Sequence, residues 1–189
     1  MENTIPASLK GHFLIAMPGL LDPNFFQTVT CISEHTSAGA VGIVVNRVHP
    51  VLSAKAIFDE LEIAYQSEVA DIPIHIGGPV HVGEVFILHG APFEWTGCFQ
   101  VTPLLAMSNS RDILEAIAMG RGPESFLLAL GCAGWGQGQL ESELGQNAWL
   151  TSPVVGEIIF STRVETRWEE AVRRMGIDPA VLSTTAGHA

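Results

Sequence analysis

Between Gly131 and Trp149 the chain reads Gly-Cys-Ala-Gly-Trp-Gly-Gln-Gly-Gln-Leu-Glu-Ser-Glu-Leu-Gly-Gln-Asn-Ala-Trp. Gly131, Gly134, Gly136 and Gly138 stand between the apolar run Phe126–Leu130 and an acidic, leucine-bearing segment. Glycine permits backbone conformations and close approaches that side chains forbid, so this segment must turn sharply or let something come close. A phosphate loop is the first candidate. It fails the dinucleotide fingerprint, because a third glycine spaced from Gly136 and Gly138 would fall at Glu141, where a carboxylate would oppose the phosphate. Glu141 and Glu143 lie about 200 degrees apart on a helix and therefore form no carboxylate pair on one face. They read as solvated charges favoured by a helix N-terminus, and Trp149 as a brace.

The rest of the chain alternates short strands and helices with no linker, repeat or low-complexity tract. Phe13 to Met17, Thr28 to Glu34 and Val41 to Asn46 read as strands, the last two joined within Thr36 to Ala40 as an antiparallel hairpin. Ser53 is placed to cap a helix that turns Ile57, Phe58 and Leu61 inward. Ile74 to Ile76 and Val85 to His89 read as strands about the turn Gly77-Gly78-Pro79, and Leu104 to Met107 as another. A helix from about Ser110 to Met119 stops at Gly120, and Phe126 to Leu130 is a buried strand. Thr162-Arg-Val-Glu165 has the form of a capping box before Val164, Trp168, Val172 and Met175 at helical spacing. Hairpins mixed with helices, without a regular strand–helix repeat, favour α+β over a doubly wound sheet.

A chain of 189 residues with 47% hydrophobic and 15% charged residues supports one core, so 1–189 is expected to be a single domain, with flexible ends at 1–9 and 183–189. The net charge of −11 is spread over both halves. Nine basic residues offer no obvious cationic face for phosphates, which argues against direct nucleic-acid binding. Arg163, Arg167, Arg173 and Arg174 cluster with Glu165, Glu169 and Glu170 on one predicted helix, a solvated face of mixed sign. Three cysteines, Cys31, Cys98 and Cys132, fit neither a zinc ribbon nor a disulfide framework and point to a reducing cytoplasm. No apolar run reaches the roughly 20 residues of a membrane span, and Pro18-Gly19 interrupts the apolar N-terminal stretch.

No P-loop, nucleophile elbow or zinc-protease helix occurs in the chain. His75, His81 and His89 flank the Gly77–Pro79 turn, but their spacing matches no short metal motif, and no metal or cofactor is expected. Glu34-His35 is the more interesting pair, since a strand-end histidine titrating near neutrality can line a cleft beside a carboxylate.

Ten blocks in order carry a resemblance: His12-Phe-Leu-Ile-Ala-Met-Pro18, Asp22-Pro-Asn-Phe25, Ser33-Glu-His35, Gly42-Ile-Val-Val-Asn46, Gly77-Gly-Pro79, Phe86-Ile-Leu-His89, Ser110-Arg-Asp112, Gly131-Cys-Ala-Gly-Trp135, Gly138-Gln-Leu-Glu141 and Asn147-Ala-Trp149. From about residue 10 onward the chain resembles the YqgE/AlgH family of bacterial proteins. The resemblance implies a compact α+β domain with a mixed sheet, branched or partly barrel-like, surrounded by helices, and no established enzymatic activity. Some relatives carry a name tied to transcriptional control. Many have Cys-Glu-His where Ser33-Glu-His35 stands here, and an aromatic where Cys132 stands. A redox role for a cysteine beside that Glu-His pair therefore does not carry over.

Three functions are open at this point. The leading expectation is a non-catalytic interaction or regulatory protein with a protein partner, the glycines allowing close approach and Trp135 anchoring it. The second is a small-ligand or enzymatic site built from Glu34, His35, Asn46, Gly77, Gly78, Pro79, Gly134 and Trp135. The third, a DNA-binding regulator, is opposed by the acidic balance.

Overall fold

The computed structural model describes residues 8–185. Its strands are β1 (His12–Ala16), β2 (Val29–Thr36), β3 (Gly39–Val44), β4 (Val48–Ser53), β5 (Pro73–Ile76), β6 (Val80–His89), β7 (Phe99–Thr102), β8 (Leu105–Ser108), β9 (Phe126–Gly136) and β10 (Trp149–Pro153). The helices are α1 (Ala54–Glu60), α2 (Arg111–Ala118), α3 (Gln139–Gly145), α4 (Gly156–Phe160), α5 (Arg167–Arg174) and α6 (Pro179–Thr185). This is an α+β domain. The strands join in one ten-stranded sheet whose main path runs β10-β1-β2-β3-β9-β6-β8-β7, with β4 and β5 on a side branch. The sheet forks and does not close.

The fork is made by β9. Along one edge β6 pairs antiparallel with Phe126–Leu130 and Cys132. Along the other edge the first half pairs in parallel with β5 and the second half antiparallel with β3. Gly131, at φ +72, is the pivot between the halves. The start of the glycine-rich segment, expected to turn sharply or admit a close approach, is therefore strand as far as Gly136.

The Gly77–Pro79 connection passes from one edge of β9 to the other. Gly77 donates its N–H to Leu130 O at 2.8 Å and accepts from Val44 N at 2.9 Å, which seats it in the fork. A Cβ on Gly78 would lie 2.3 Å from the Cys132 carbonyl carbon, and one on Gly131 would lie 2.6 Å from Gly78 O. No side chain fits where two backbones cross at that distance.

Strand alternation then sorts the core. Phe13 and Ile15 face a cluster with Cys31, Ile43, Leu88, Ile158 and Trp168, whereas Leu14 and Ala16 face one with Leu9, Ile32, Trp135, Leu140 and Trp149. A third cluster packs Phe58, Ile113 and Ile117 of α1 and α2 onto Ile74, Ile87 and Leu128. The expected flexible ends lie largely outside the described residues, but Leu9 is fully buried.

Several local expectations are corrected. Strands β4 and β7 carry no clean alternation and were not legible. Leu61, expected on the inner face of α1, is 37% exposed because it sits at the C-cap. Ser53 and Ser110 occupy N-cap positions without a side-chain capping bond. The expected capping box does not form: the Thr162 hydroxyl donates back to Glu157 O, a 3-10 turn spans Val164–Thr166, and α5 begins only at Arg167. On α5 the pairs Arg173–Glu169 and Arg174–Glu170 are solvated as expected, but Arg167 is 6% exposed. The turn preceding α5 rotates that guanidinium into the core.

Candidate functional site

The residues singled out in the sequence fall in separate places. Glu34 and His35 point to opposite sides of β2. Glu34 is exposed and shares with Ala40, Val41 and Trp135 a hollow of about 230 Å³. His35 accepts the Leu9 amide on Nδ1 at 2.9 Å, so its proton is on Nε2, which donates to Glu141 at 2.8 Å. Both nitrogens are committed, and the imidazole latches the start of the chain to α3. The Glu141 carboxyl is held below its ordinary value, first by its own backbone N–H and then by His35.

Asn46 accepts the Val29 N–H and donates to Gln27 O, each at 2.8 Å, and lines a cavity of about 520 Å³ with Arg47, Trp168 and Arg173. Gly78 and Pro79 line a shallower hollow of about 200 Å³ with Asn24, Arg47, Ile76 and Val82. Gly134 is paired with Val41 inside the sheet.

Trp135 is 5% exposed and stacks at a tilt on Phe25, 5.7 Å between ring centres. Its indole N–H donates to Glu143 at 2.9 Å, and Trp149 donates to the same oxygen at 2.8 Å. Glu143, expected to be a solvated helix charge, instead clamps two tryptophans. One turn of α3 places it against β9 and β10, a juxtaposition local helix geometry does not reveal.

The histidines about the fork take separate partners. His75 lies in the core, its Nε2 accepting from Arg167 at 3.3 Å and its Nδ1–H donating to Leu128 O at 3.3 Å. Burial, with the Arg167 charge beside it, pushes its pKa down to about 4. Arg167 also donates to Thr162 O and Val45 O, and burial lowers its own pKa. His89 donates from Nδ1 to Gly90 O at 2.7 Å and accepts the Ser108 hydroxyl on Nε2 at 2.9 Å, with the Cys98 sulfur 3.9 Å away; burial lowers its pKa. His81 is exposed beside Glu84. Burial raises the Cys31 thiol to about 12 and lifts Cys132 as well, so neither is a ready nucleophile.

Two features went unread in the sequence. The first is the bulge in β6: between the pairs Val80–Cys132 and Val85–Leu130, four residues of β6 oppose Gly131 alone on β9, and His81 takes φ +50. Val82 and Gly83 protrude, Val82 being 65% exposed and sharing a hollow with Ile76, 38% exposed. The only sequence signal is Gly83 inside an otherwise strand-like run, which marks a bulge. The second is a cavity of about 620 Å³ between the ends of α1 and α2, reached by Trp95. No local motif announces it.

Among the described residues no helix is long and apolar enough to cross a membrane. A family model described as AlgH-like matches residues 13–180. A UPF0301 protein from Desulforapulum autotrophicum is 52% identical over 181 residues, covering 96% of each chain, and one from Pseudomonas fluorescens is 46% identical over the whole of both. The solution structure of the AlgH protein from Pseudomonas aeruginosa superposes with a TM-score of 0.80 at 43% identity over the full length of both chains. A Corynebacterium diphtheriae protein, DIP2367, shares the fold at a TM-score of 0.74 and 22% identity, covering 100% of this chain and 95% of that one. With its forked sheet, its ordered blocks and these matches, the chain belongs to the AlgH-like family.

Proposed function

We propose that this AlgH-like protein is a non-catalytic interaction protein of the cytoplasm that binds a protein partner on the face built around the β6 bulge. One observation carries the reading: the protruding Val82 with the exposed Ile76 and Pro79 makes an apolar strip around one surface hollow at the fork. Exposed apolar surface rimmed by polar groups is how interaction sites differ from ordinary surface. A net charge of −11 selects a partner whose apolar face is bordered by Lys and Arg. Three free thiols fit a reducing compartment.

Catalysis is the weaker reading because the candidate acid–base groups are spent inside the molecule. His35 has both nitrogens bonded, and His75 is held neutral by burial beside Arg167. Direct DNA binding stays disfavoured by the acidic balance.

The test compares proteins retained from lysate by immobilised wild type, Val82→Arg and Leu104→Arg, the last being an 83% exposed residue outside this strip. The expected result is a partner held by wild type and Leu104→Arg, lost with Val82→Arg and weakened by salt. Equal retention on all three proteins, or no specific retention by wild type, refutes the assignment.

A further inference from the structure

The cavity between α1 and α2 is built by two helix ends of the same design. At the end of α2, Gly120 N–H bonds Ile117 O at 3.0 Å and Arg121 N–H bonds Ala116 O at 2.8 Å, with Gly120 left-handed at φ +66. At the end of α1, Glu62 N–H bonds Asp59 O at 3.2 Å and Ile63 N–H bonds Phe58 O at 2.8 Å. Both are Schellman caps, whose left-handed position favours glycine. Glu62 occupies that position at φ +52. A non-glycine residue held in this conformation points to a role for its side chain.

Glu62 and Arg121 both line the cavity of about 620 Å³, a volume typical of small-molecule sites. The other charges there are committed. Arg111 pairs with Glu115 at 2.6 Å and donates to Leu61 O at 3.0 Å, and Asp112 accepts from the Ser110 hydroxyl and the Thr96 amide. Among the described residues, the Glu62 carboxylate and the Arg121 guanidinium make no side-chain hydrogen bond or ion pair, including with each other. The same cavity is also lined by apolar surface from Trp95, whose indole N–H is satisfied by Pro92 O, together with Ile63, Ala116 and Met119.

Two opposite, unmated charges on the walls of one cavity suit a ligand that carries both complements at once. A simple anion would meet Glu62, and a simple cation would meet Arg121. We propose that this cavity binds a free α-amino acid with an apolar side chain, its ammonium on Glu62, its carboxylate on Arg121 and its side chain against Trp95 and Met119. The proposal does not depend on the protein-binding reading.

Trp95 is the probe. Trp135, Trp149 and Trp168 are 5–7% exposed, so the partly exposed Trp95 indole is the one a ligand here would touch. L-leucine and L-methionine should move the Trp95 indole N–H resonance saturably, while N-acetyl-L-leucine and L-leucinamide, each lacking one charge, bind about tenfold or more weakly. Arg121→Gln should lose binding to the same extent. Glu62→Gly is the decisive variant: glycine suits the left-handed cap, so the fold is kept and only binding is lost. The assignment is overturned if no apolar amino acid gives a saturable shift up to about 10 mM, well above a millimolar Kd. It is equally overturned if N-acetyl-L-leucine binds as well as L-leucine, or if Glu62→Gly binds unchanged.

Discussion

Acidification should weaken this protein through His75, and by an amount the structure sets. The imidazole is 4% exposed, accepts a hydrogen bond from the Arg167 guanidinium on Nε2, and donates from Nδ1 to Leu128 O. A proton added to Nε2 would destroy the bond from Arg167 and set two positive charges against each other in the core. The folded pKa of about 4 lies below the ordinary histidine value of 6.5, so between these values the unfolded chain binds the proton and the folded one does not. Stability from this residue is full above the unfolded value and is lost as pH falls towards the folded one. Integrating that linkage gives a loss of about 2 kcal/mol between pH 7 and pH 5, and about 3 kcal/mol by pH 4.

His89, whose pKa is also lowered by burial, adds a contribution of the same sign, so the measurement must be a difference. His75→Gln stays neutral at every pH and keeps an amide donor and acceptor for Leu128 O and Arg167. Urea denaturation of both proteins at pH 7 and pH 5, where most carboxylates remain ionised, should show wild type losing about 2 kcal/mol more than the variant across that step. Parallel losses in the two proteins would show that His75 is free to protonate in the folded state and refute the placement of Arg167 against it.

Gly78→Ala should abolish or severely destabilise folding, by about 3 kcal/mol or more, because its Cβ would lie 2.3 Å from the Cys132 carbonyl. Gly138→Ala, left-handed at φ +72 but with open space about it, should cost only about 1 kcal/mol by thermal or urea unfolding. Glu143→Leu removes the acceptor shared by two indoles and should cost about 2 to 4 kcal/mol, read in urea alongside the two indole N–H resonances; Glu143→Gln, which keeps one oxygen, should cost less.

Much of the architecture was legible in the chain because it is written in local periodicity. Val29–Thr36 and Gly39–Val44 alternate about a short turn and form the predicted hairpin. Ile113, Leu114 and Ile117 repeat at helical spacing and are buried. The site was far less legible. Glu34 and His35 are neighbours in sequence yet serve opposite faces, and Glu141 meets His35 across 106 residues. Arg167 reads as one more surface charge until the 3-10 turn before it sends the side chain to Val45 O. Gly77, Gly78 and Gly131 signal close approach in the sequence, but not what approaches.

By itself, the sequence determined the α+β class, the family, the hairpin, the principal helices and the apolar faces, since each depends on residues within a few turns of one another. Only the tertiary structure decided that the glycines of 77–78 and 131 exist for one another, at the point where a crossing backbone forks the sheet. The same is true of Glu143 under two tryptophans, His75 against a buried arginine, and Glu62 and Arg121 lining one cavity. Each of these is a meeting of segments far apart in the chain, and such meetings are set by how the sheet folds over its helices, which no local pattern encodes.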